Sequence, residues 1–322
     1  MKAQARMAGI RQSLREALRK ADRRYFSDCA RAVEVAAEGE DADATSRVPM
    51  EAALHVGYPG LADLEKAFRE GVAVAWHDAN GKALEMLRKA GPRLLKRRIS
   101  AQRRRERGER TQRTATAMSG DGGGEEMRLL LEGEDLVVPV DAVRRYAAGR
   151  VAPLRGAISE QRKGLCRDII ARAAGEGASV RTAMRALEDE GFGNSAWHRE
   201  TIARTEGTTL YVQGSVARYS ASACVTGLRF VNPDDDRTTD ECHDLNGMEF
   251  ATDDVDGVTP PLHFSCRSEL EPILFDEVTD LSSAAEYLAD PETANPLEGF
   301  GRIDLSGFPA ARGVEDLFAL LG

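Results

Sequence analysis

The sequence has no long apolar run, and it is sparing in cysteine and aromatic residues. Its 322 residues include 5 cysteines and 6% aromatic residues. No segment approaches the roughly 20 apolar residues that a membrane-spanning helix needs. The basic N-terminal segment, residues 1–20, lacks the apolar core of about 7–15 residues that marks a signal peptide. We therefore expect a chain that is made in a cytoplasm and contacts no membrane.

The cysteines are odd in number and widely spread, which argues against a disulfide framework in a reducing compartment. They stand at Cys29, Cys166, Cys224, Cys242 and Cys266. Cys29 and Cys166 lie within helical patterns, so we interpret both as small buried apolar side chains.

Recognisable catalytic patterns are missing as well. The sequence contains no P-loop, no dinucleotide-binding glycine pattern, no HExxH and no GxSxG. The run from His198 to Glu200 matches half of the zinc-deaminase signature, but the Pro-Cys-x-x-Cys partner is absent. The acidic runs 234–236 and 253–257 do not follow the calcium-binding EF-hand register and are interpreted as surface loops. These observations predict a protein that is not an enzyme.

Charge is distributed unevenly along the chain. Residues 1–113 carry 25 Lys+Arg and 16 Asp+Glu, a balance of +9, so the totals of 44 and 53 leave 19 basic and 37 acidic residues, or −18, for the remainder. Ten basic residues, nine of them arginine, fall within 93–113. Guanidinium groups suit phosphate contact, so this segment predicts binding to double-stranded DNA without sequence preference. A solvated helix tail is the alternative. The candidate contacts are Arg93, Lys96, Arg97, Arg98, Arg103, Arg104, Arg105 and Arg107.

Apolar spacing predicts an α+β protein with four regions. Helical periodicity dominates residues 1–113, which end in the Arg-rich arm, and a break in the second long helix is expected near Gly91-Pro92. Residues 114–126 have the composition of a flexible linker. Residues 127–275 read as helices followed by a small β-containing module braced by cysteine and histidine. Residues 276–322 form an acidic tail with a short terminal helix at 314–321.

Strand signals are confined to the C-terminal third. Residues 225–231 alternate in the manner of a β-strand, a second strand is expected to begin at 247–250, and a third at 270–275. Between them stand Cys242, His263 and Cys266, whose types and spacing are compatible with zinc. His243 or Asp240 could complete a tetrahedron, whereas Thr239 is a poor ligand. A structural zinc site, a metal-free hydrogen-bonded knot and a Cys242–Cys266 disulfide all stay open.

Three ordered motifs carry a family resemblance. The chain contains ARTE at 203–206, DxRTxxxCxxLNG at 235–247 and PPLHxxCRS at 260–268. In this order and spacing they resemble the domain of phage Mu F-like minor head, or head morphogenesis, proteins, over roughly residues 180–272. Many members of that family carry cysteine at the positions of Thr239 and Ser268.

The resemblance implies a structural protein of a tailed phage or prophage. Such proteins are assembled in the bacterial cytoplasm, lie inside the capsid near the portal, contact portal or capsid protein, and aid assembly and DNA packaging or delivery. The motif residues to which the resemblance assigns a structural role are Arg204, Glu206, Asp236, Arg237, Thr238, Gly247, Pro260, Pro261 and Arg267. The competing hypothesis is a zinc-dependent hydrolase or nucleotide-modifying enzyme that uses Cys242, His263 and Cys266.

The motif also suggests specific pairings. We expect Glu206 to accept hydrogen bonds from Arg237 or Arg267, and Asp236 to anchor its turn through backbone N–H groups. Replacing Arg237 would then strand a partly buried carboxylate and unfold the module. Pro260-Pro261 is expected to stiffen the chain before His263.

Overall fold

The structure, a computed structural model, contains two compact units whose segments alternate along the chain. It describes residues 2–38, 53, 55–59, 62–109, 122–176, 178–190, 196–274, 277 and 280–310. The first unit comprises Met1–Val72, Val140–Tyr211 and His263–Cys266, and the second comprises Ala73–Pro139, Val212–Leu262 and Arg267–Gly322. The consecutive domains expected from composition stay a prediction.

Helices make up most of the described chain. The long ones are α1 (Lys2–Glu38), α2 (Ala62–Glu109), α3 (Gly122–Glu134), α4 (Val140–Gly175), α5 (Val180–Asp189) and α6 (Ala196–Ser220). Two short helices follow, α7 (Asp240–Asp244) and α8 (Ala284–Ala289). Ser179 begins α5 as an N-cap whose hydroxyl accepts a hydrogen bond from the Thr182 amide. None of the described helices combines the length and apolar character that a bilayer crossing requires.

The first unit contains a buried ionic network centred on Asp22 of α1. The Asp22 carboxylate accepts two hydrogen bonds from Arg162 of α4, at 2.9 and 3.0 Å, and one from Arg199 of α6 at 3.2 Å. The Tyr58 hydroxyl donates a fourth at 2.8 Å, and burial beside Asp22 raises the pKa of that hydroxyl. A buried carboxylate is tolerated only when it is paired in this way. The network therefore fixes which helices meet in this core.

The second unit contains a three-stranded antiparallel sheet in the order β2–β1–β3. The strands are β1 (Val225–Val231), β2 (Glu249–Ala251) and β3 (Glu269–Leu274). Leu228 of β1 pairs with Phe250 on one side and with Pro272 on the other. Burial along β1 alternates, with Leu228 and Phe230 fully buried, as expected for a sheet with one face packed on a core.

A second buried ion pair lies in this unit. Arg218 of α6 donates from Nη1 to Oε1 of Glu134 at 3.1 Å and from Nε to Oδ1 of Asn80 at 2.7 Å, and neither charged side chain is exposed. Glu134 also accepts hydrogen bonds from the Ser222 hydroxyl and the Ala223 amide. The end of α3, the end of α6 and the start of the sheet are thus joined through one carboxylate.

The sequence-based fold class is confirmed: the chain is mostly helical, with a small antiparallel sheet near its C-terminal end. Three details differ or fall outside the structure. Helix α2 continues through Pro92 without the expected break. Helix α3 begins at Gly122, so the last five residues of the predicted linker are helical. The predicted helix at 314–321 lies outside the described residues.

Candidate functional site

The ARTE motif lies in the middle of α6, and its side chains point to different surroundings. Arg204 is exposed and donates from Nε to Oε1 of Glu200, one turn earlier, at 2.5 Å. Thr205 and Glu206 are buried. Since the two charged members are two residues apart, they cannot share a helix face, and each makes its own contact.

Two threonines of α6 hold the segment that contains His263 and Cys266. The Thr208 hydroxyl donates to the Cys266 carbonyl at 2.8 Å, and the Ser265 amide donates to the Thr205 hydroxyl at 3.0 Å. Their spacing of three residues places both hydroxyls on one face of the helix. Ser265 has a φ of 59°, a left-handed conformation that a non-glycine residue adopts only when its surroundings impose it. The two hydrogen bonds supply that constraint.

Glu206 pairs with Arg150 of α4, which corrects the expected pairing with Arg237 or Arg267. The guanidinium donates from Nε and Nη2 to the two carboxylate oxygens, both at 3.0 Å. The Glu206 side chain is 8% exposed, so this two-pronged arrangement satisfies a nearly buried charge. Nothing in the sequence between 140 and 160 distinguishes Arg150 from the other arginines there, which the helical pattern predicts to lie on the surface.

The DxRT turn is anchored by Asp235, not by Asp236 as expected. Asp235 Oδ1 accepts from the Arg237 amide at 3.1 Å, and its carboxylate accepts a two-pronged contact from Arg267, with Nη1 to Oδ2 at 2.7 Å. Thr238 closes the turn, since its hydroxyl accepts from the Asp235 amide at 3.2 Å. Asp236 is exposed. The signal was present in the motif, whose first aspartate is residue 235.

Arg237 does not have the role expected of it. Its side chain is 70% exposed and lies 3.5 Å from Asp235, so its removal strands no buried carboxylate. The prediction that replacing Arg237 unfolds the module is wrong on this geometry. Arg267, at 21% exposure, is the cation that holds the turn.

The LNG motif shapes the chain between α7 and β2. Asn246 accepts from the Asn232 amide at 3.2 Å, and the Gly247 amide donates to the Phe230 carbonyl at 2.8 Å. Gly247 has a φ of 84°, which favours glycine at this position. Asn232 also donates through its side-chain amide to the Cys242 carbonyl. These contacts tie the Cys242 helix to the end of β1.

Cys242, His263 and Cys266 lie together. Their candidate ligand atoms are all within 4.8 Å of one another, with both cysteines buried and the histidine partly exposed. Two thiols and an imidazole at this separation are the donor set of many structural zinc sites. Neither cysteine forms a disulfide in the structure. His243 and Asp240, considered as a fourth ligand, are exposed.

Two further contacts bear on whether a metal fits. His263 Nδ1 lies 2.9 Å from the Phe264 carbonyl, the kind of backbone contact that orients a ligating imidazole with Nε2 toward the metal. Thr239, at the N-cap of α7, makes no side-chain cap hydrogen bond, and its buried hydroxyl oxygen has no partner. This orphaned oxygen stands three residues before Cys242, where a Cys-x-x-Cys pair would begin. The three donors of the cluster therefore fit a zinc ion as three protein ligands.

The remaining predicted residues fall outside this cluster. Pro260 and Pro261 are buried and joined by a cis peptide bond, and the Pro261 carbonyl accepts from the Gly301 amide at 3.0 Å. Arg93 is about half exposed and contacts Glu277 at 3.3 Å. The side chains of Lys96, Arg97, Arg98, Arg103, Arg104, Arg105 and Arg107 lie outside the described residues, although their backbone belongs to α2.

Comparison with known families gives one match. Residues 166–271 match the family model described as Phage Mu protein F like protein. The match confirms the resemblance seen in the three motifs, all of which fall within it. No curated protein and no solved structure matches the chain.

The Thr208 contact yields a stability prediction. Thr208→Val keeps the shape of the side chain but removes the hydroxyl that donates to the buried Cys266 carbonyl, which should lower the free energy of unfolding by about 1–1.5 kcal/mol. Thr209→Val is the matched control, because the Thr209 hydroxyl donates only to the Thr205 carbonyl of its own helix, at 3.0 Å, and should cost less than about 1 kcal/mol. Urea unfolding measures both. Equal losses in the two variants would contradict a special role for Thr208.

The Asp235 turn yields a pH prediction. Hydrogen bonding to Arg267 holds the pKa of the Asp235 carboxyl well below its usual range. Because the folded pKa is depressed, the stabilisation is present above the unfolded value of about 3.9 and is lost as the pH falls through the folded pKa. We expect the Asp235 carboxyl group to remain ionised at pH 3.9, as measured by the NMR chemical shift of its carboxyl carbon. Arg267→Ala should move its midpoint upward, and Arg237→Ala should move it less; the reverse order would refute the assignment.

Proposed function

We propose that this protein is a structural minor component of a tailed-phage or prophage head. It acts inside the capsid near the portal and contacts portal or capsid protein during assembly and DNA packaging or delivery. The observation that carries the proposal is the match of residues 166–271 to the Mu F-like family model. The role near the portal comes from what that resemblance implies.

The contacts of the motif residues support a structural role over an enzymatic one. Glu206 is satisfied by Arg150, the two α6 threonines by the 263–266 segment, and Asp235 by Arg267. An active site needs acids, bases or nucleophiles directed at a place where substrate can bind. Here these polar groups of the motifs form hydrogen bonds and ion pairs within the protein, so they stabilise the fold.

The Arg-rich arm at 93–113 is proposed to bind packaged DNA without sequence preference. Nine arginines and one lysine face only two glutamates in this segment, and α2 extends as a helix through Glu109. The acidic remainder of the chain would be repelled by DNA. We therefore assign DNA contact to this arm and protein contact to the rest of the chain.

The Cys242, His263 and Cys266 cluster is proposed to hold one structural zinc ion. Bound zinc would cross-link three points of the chain and stabilise the folded state, since such a site exists only when the chain is folded. A water molecule would supply the fourth donor that a tetrahedral zinc site needs. No reaction is assigned to this ion.

The head assignment is tested on particles. Heads purified after induction of the phage or prophage that encodes the chain should contain it in low copy, measured by quantitative mass spectrometry against the major capsid protein. A deletion should lower the yield of DNA-filled heads, and the wild-type chain supplied in trans should restore it. If the chain is expressed but purified heads lack it, the proposal fails.

DNA binding is tested by its salt dependence. The logarithm of the association constant should fall with the logarithm of salt concentration, with a slope of about −0.9 per phosphate neutralised. A variant with Arg103, Arg104, Arg105 and Arg107 changed to Gln should lose slope and affinity equally on unrelated duplexes. The matched control changes four exposed arginines elsewhere, Arg19, Arg31, Arg172 and Arg181, and should keep both. A strong preference for one sequence would point instead to a regulator.

Metal content tests the zinc proposal. Protein purified without chelator should contain about one zinc per chain by elemental analysis, and Cys242→Ser should lose most of it. Cys224→Ser is the control, because Cys224 is buried beside Ser222 at 3.3 Å and stands outside the cluster. A chelator should lower the melting temperature of the wild type and of Cys224→Ser, but not that of Cys242→Ser. Metal-free protein of unchanged stability would favour the hydrogen-bonded knot.

A further inference from the structure

The first unit contains a second pair of cysteines that the proposed function does not use. Cys29 of α1 and Cys166 of α4 are separated by 137 positions in the sequence, yet their sulfurs are 3.7 Å apart. Both side chains are fully buried and both are free thiols. We expected each to be an isolated apolar side chain, and nothing in their spacing predicts the contact.

We infer that Cys29 and Cys166 are an oxidation site that forms an intramolecular disulfide when the protein leaves a reducing cytoplasm and meets a hydroperoxide. A disulfide has a sulfur–sulfur bond of about 2.05 Å, so the two sulfurs must approach by less than 2 Å. Rotation about the two side chains can supply much of that movement. The inference does not depend on the proposed function.

The surroundings keep the two helices in place while the bond forms. Seven residues before Cys29, the Asp22 carboxylate holds Arg162, which precedes Cys166 by four residues. The ion pair and the thiol contact thus occur in the same order along α1 and α4. The ion pair holds the two helices together close to the two thiols. Ala53 contributes a carbonyl 3.7 Å from the Cys29 sulfur.

The pair also has an asymmetry that suits stepwise oxidation. The hydrogen bond between the sulfurs lowers the pKa of the Cys166 thiol, while the same bond together with burial raises that of Cys29. Thiolate is the nucleophilic form, so Cys166 is the residue that reacts first with the peroxide. Cys29 then serves as the resolving thiol.

The chemistry balances with a hydroperoxide as the oxidant. The Cys166 thiolate attacks the peroxide, which breaks the O–O bond, gives a sulfenic acid and releases water or alcohol once the leaving oxygen is protonated. The Cys29 sulfur attacks the sulfenic sulfur, the S–S bond forms, and the S–O bond breaks with release of water. Two thiols are oxidised by two electrons and the peroxide is reduced by two.

The test is peptide mapping of the full-length protein. The reduced chain is treated with hydrogen peroxide, its remaining thiols are alkylated in denaturant, and it is digested without reductant. We expect one cross-linked species joining the peptides of Cys29 and Cys166, and a melting temperature that rises on the order of 5–10 °C because a long loop is closed. Reductant should reverse both changes.

Controls separate this site from general oxidation. Cys29→Ser and Cys166→Ser should each abolish the cross-link and the shift, whereas Cys224→Ser should keep them. The variants are melted before oxidation to establish that they fold, and the wild type is also oxidised in urea, where the specific link should give way to mixed pairings. Complete alkylation of both thiols after oxidation of the folded wild type, or a dominant link to another cysteine, would overturn the inference.

Discussion

The fold depends on one constraint: a carboxylate taken out of water must find a full set of donors. Asp22 meets it with Arg162, Arg199 and Tyr58, and Glu134 meets it with Arg218, Ser222 and the Ala223 amide. A buried ion costs several kcal/mol unless it is paired with good geometry. Since the donors to Asp22 come from three separate segments of the chain, their pairing selects one packing arrangement among the many that apolar contacts alone would allow.

The same logic extends to the family motifs. Each motif uses its polar side chains for hydrogen bonds inside the protein. Two threonines of α6 hold the segment in which Ser265 has a left-handed conformation, and Asp235 of the DxRT turn pairs with Arg267. Polar groups used in this way make a module rigid and leave few of them for chemistry. Both contacts lie within residues 166–271, the segment that matches the Mu F-like family model.

Sequence reasoning succeeded where a local pattern sets the structure. The alternation over 225–231 coincides with β1, and the spacing of Cys242, His263 and Cys266 gave the one thiol–imidazole group found among the described residues. It failed for pairs of residues that are distant in sequence, because no local pattern indicates that Glu206 pairs with Arg150. A usable signal existed at Asp22, which interrupts the apolar stripe of Leu18, Tyr25 and Cys29 on α1. A lone charge on the buried face of a helix implies an opposite charge elsewhere in the core.

Residues inside the matched segment pair with residues outside it, and this has a consequence for recombination between related genes. The segment matched by the family model, 166–271, contains Arg199, Glu206 and Arg218 but not their partners Asp22, Arg150 and Glu134. Exchange of this segment alone between divergent relatives would import three charges whose counterparts stay behind in the recipient. Viable hybrids should therefore have crossovers that carry the upstream helices along, and the unit of inheritance is larger than the recognisable motif.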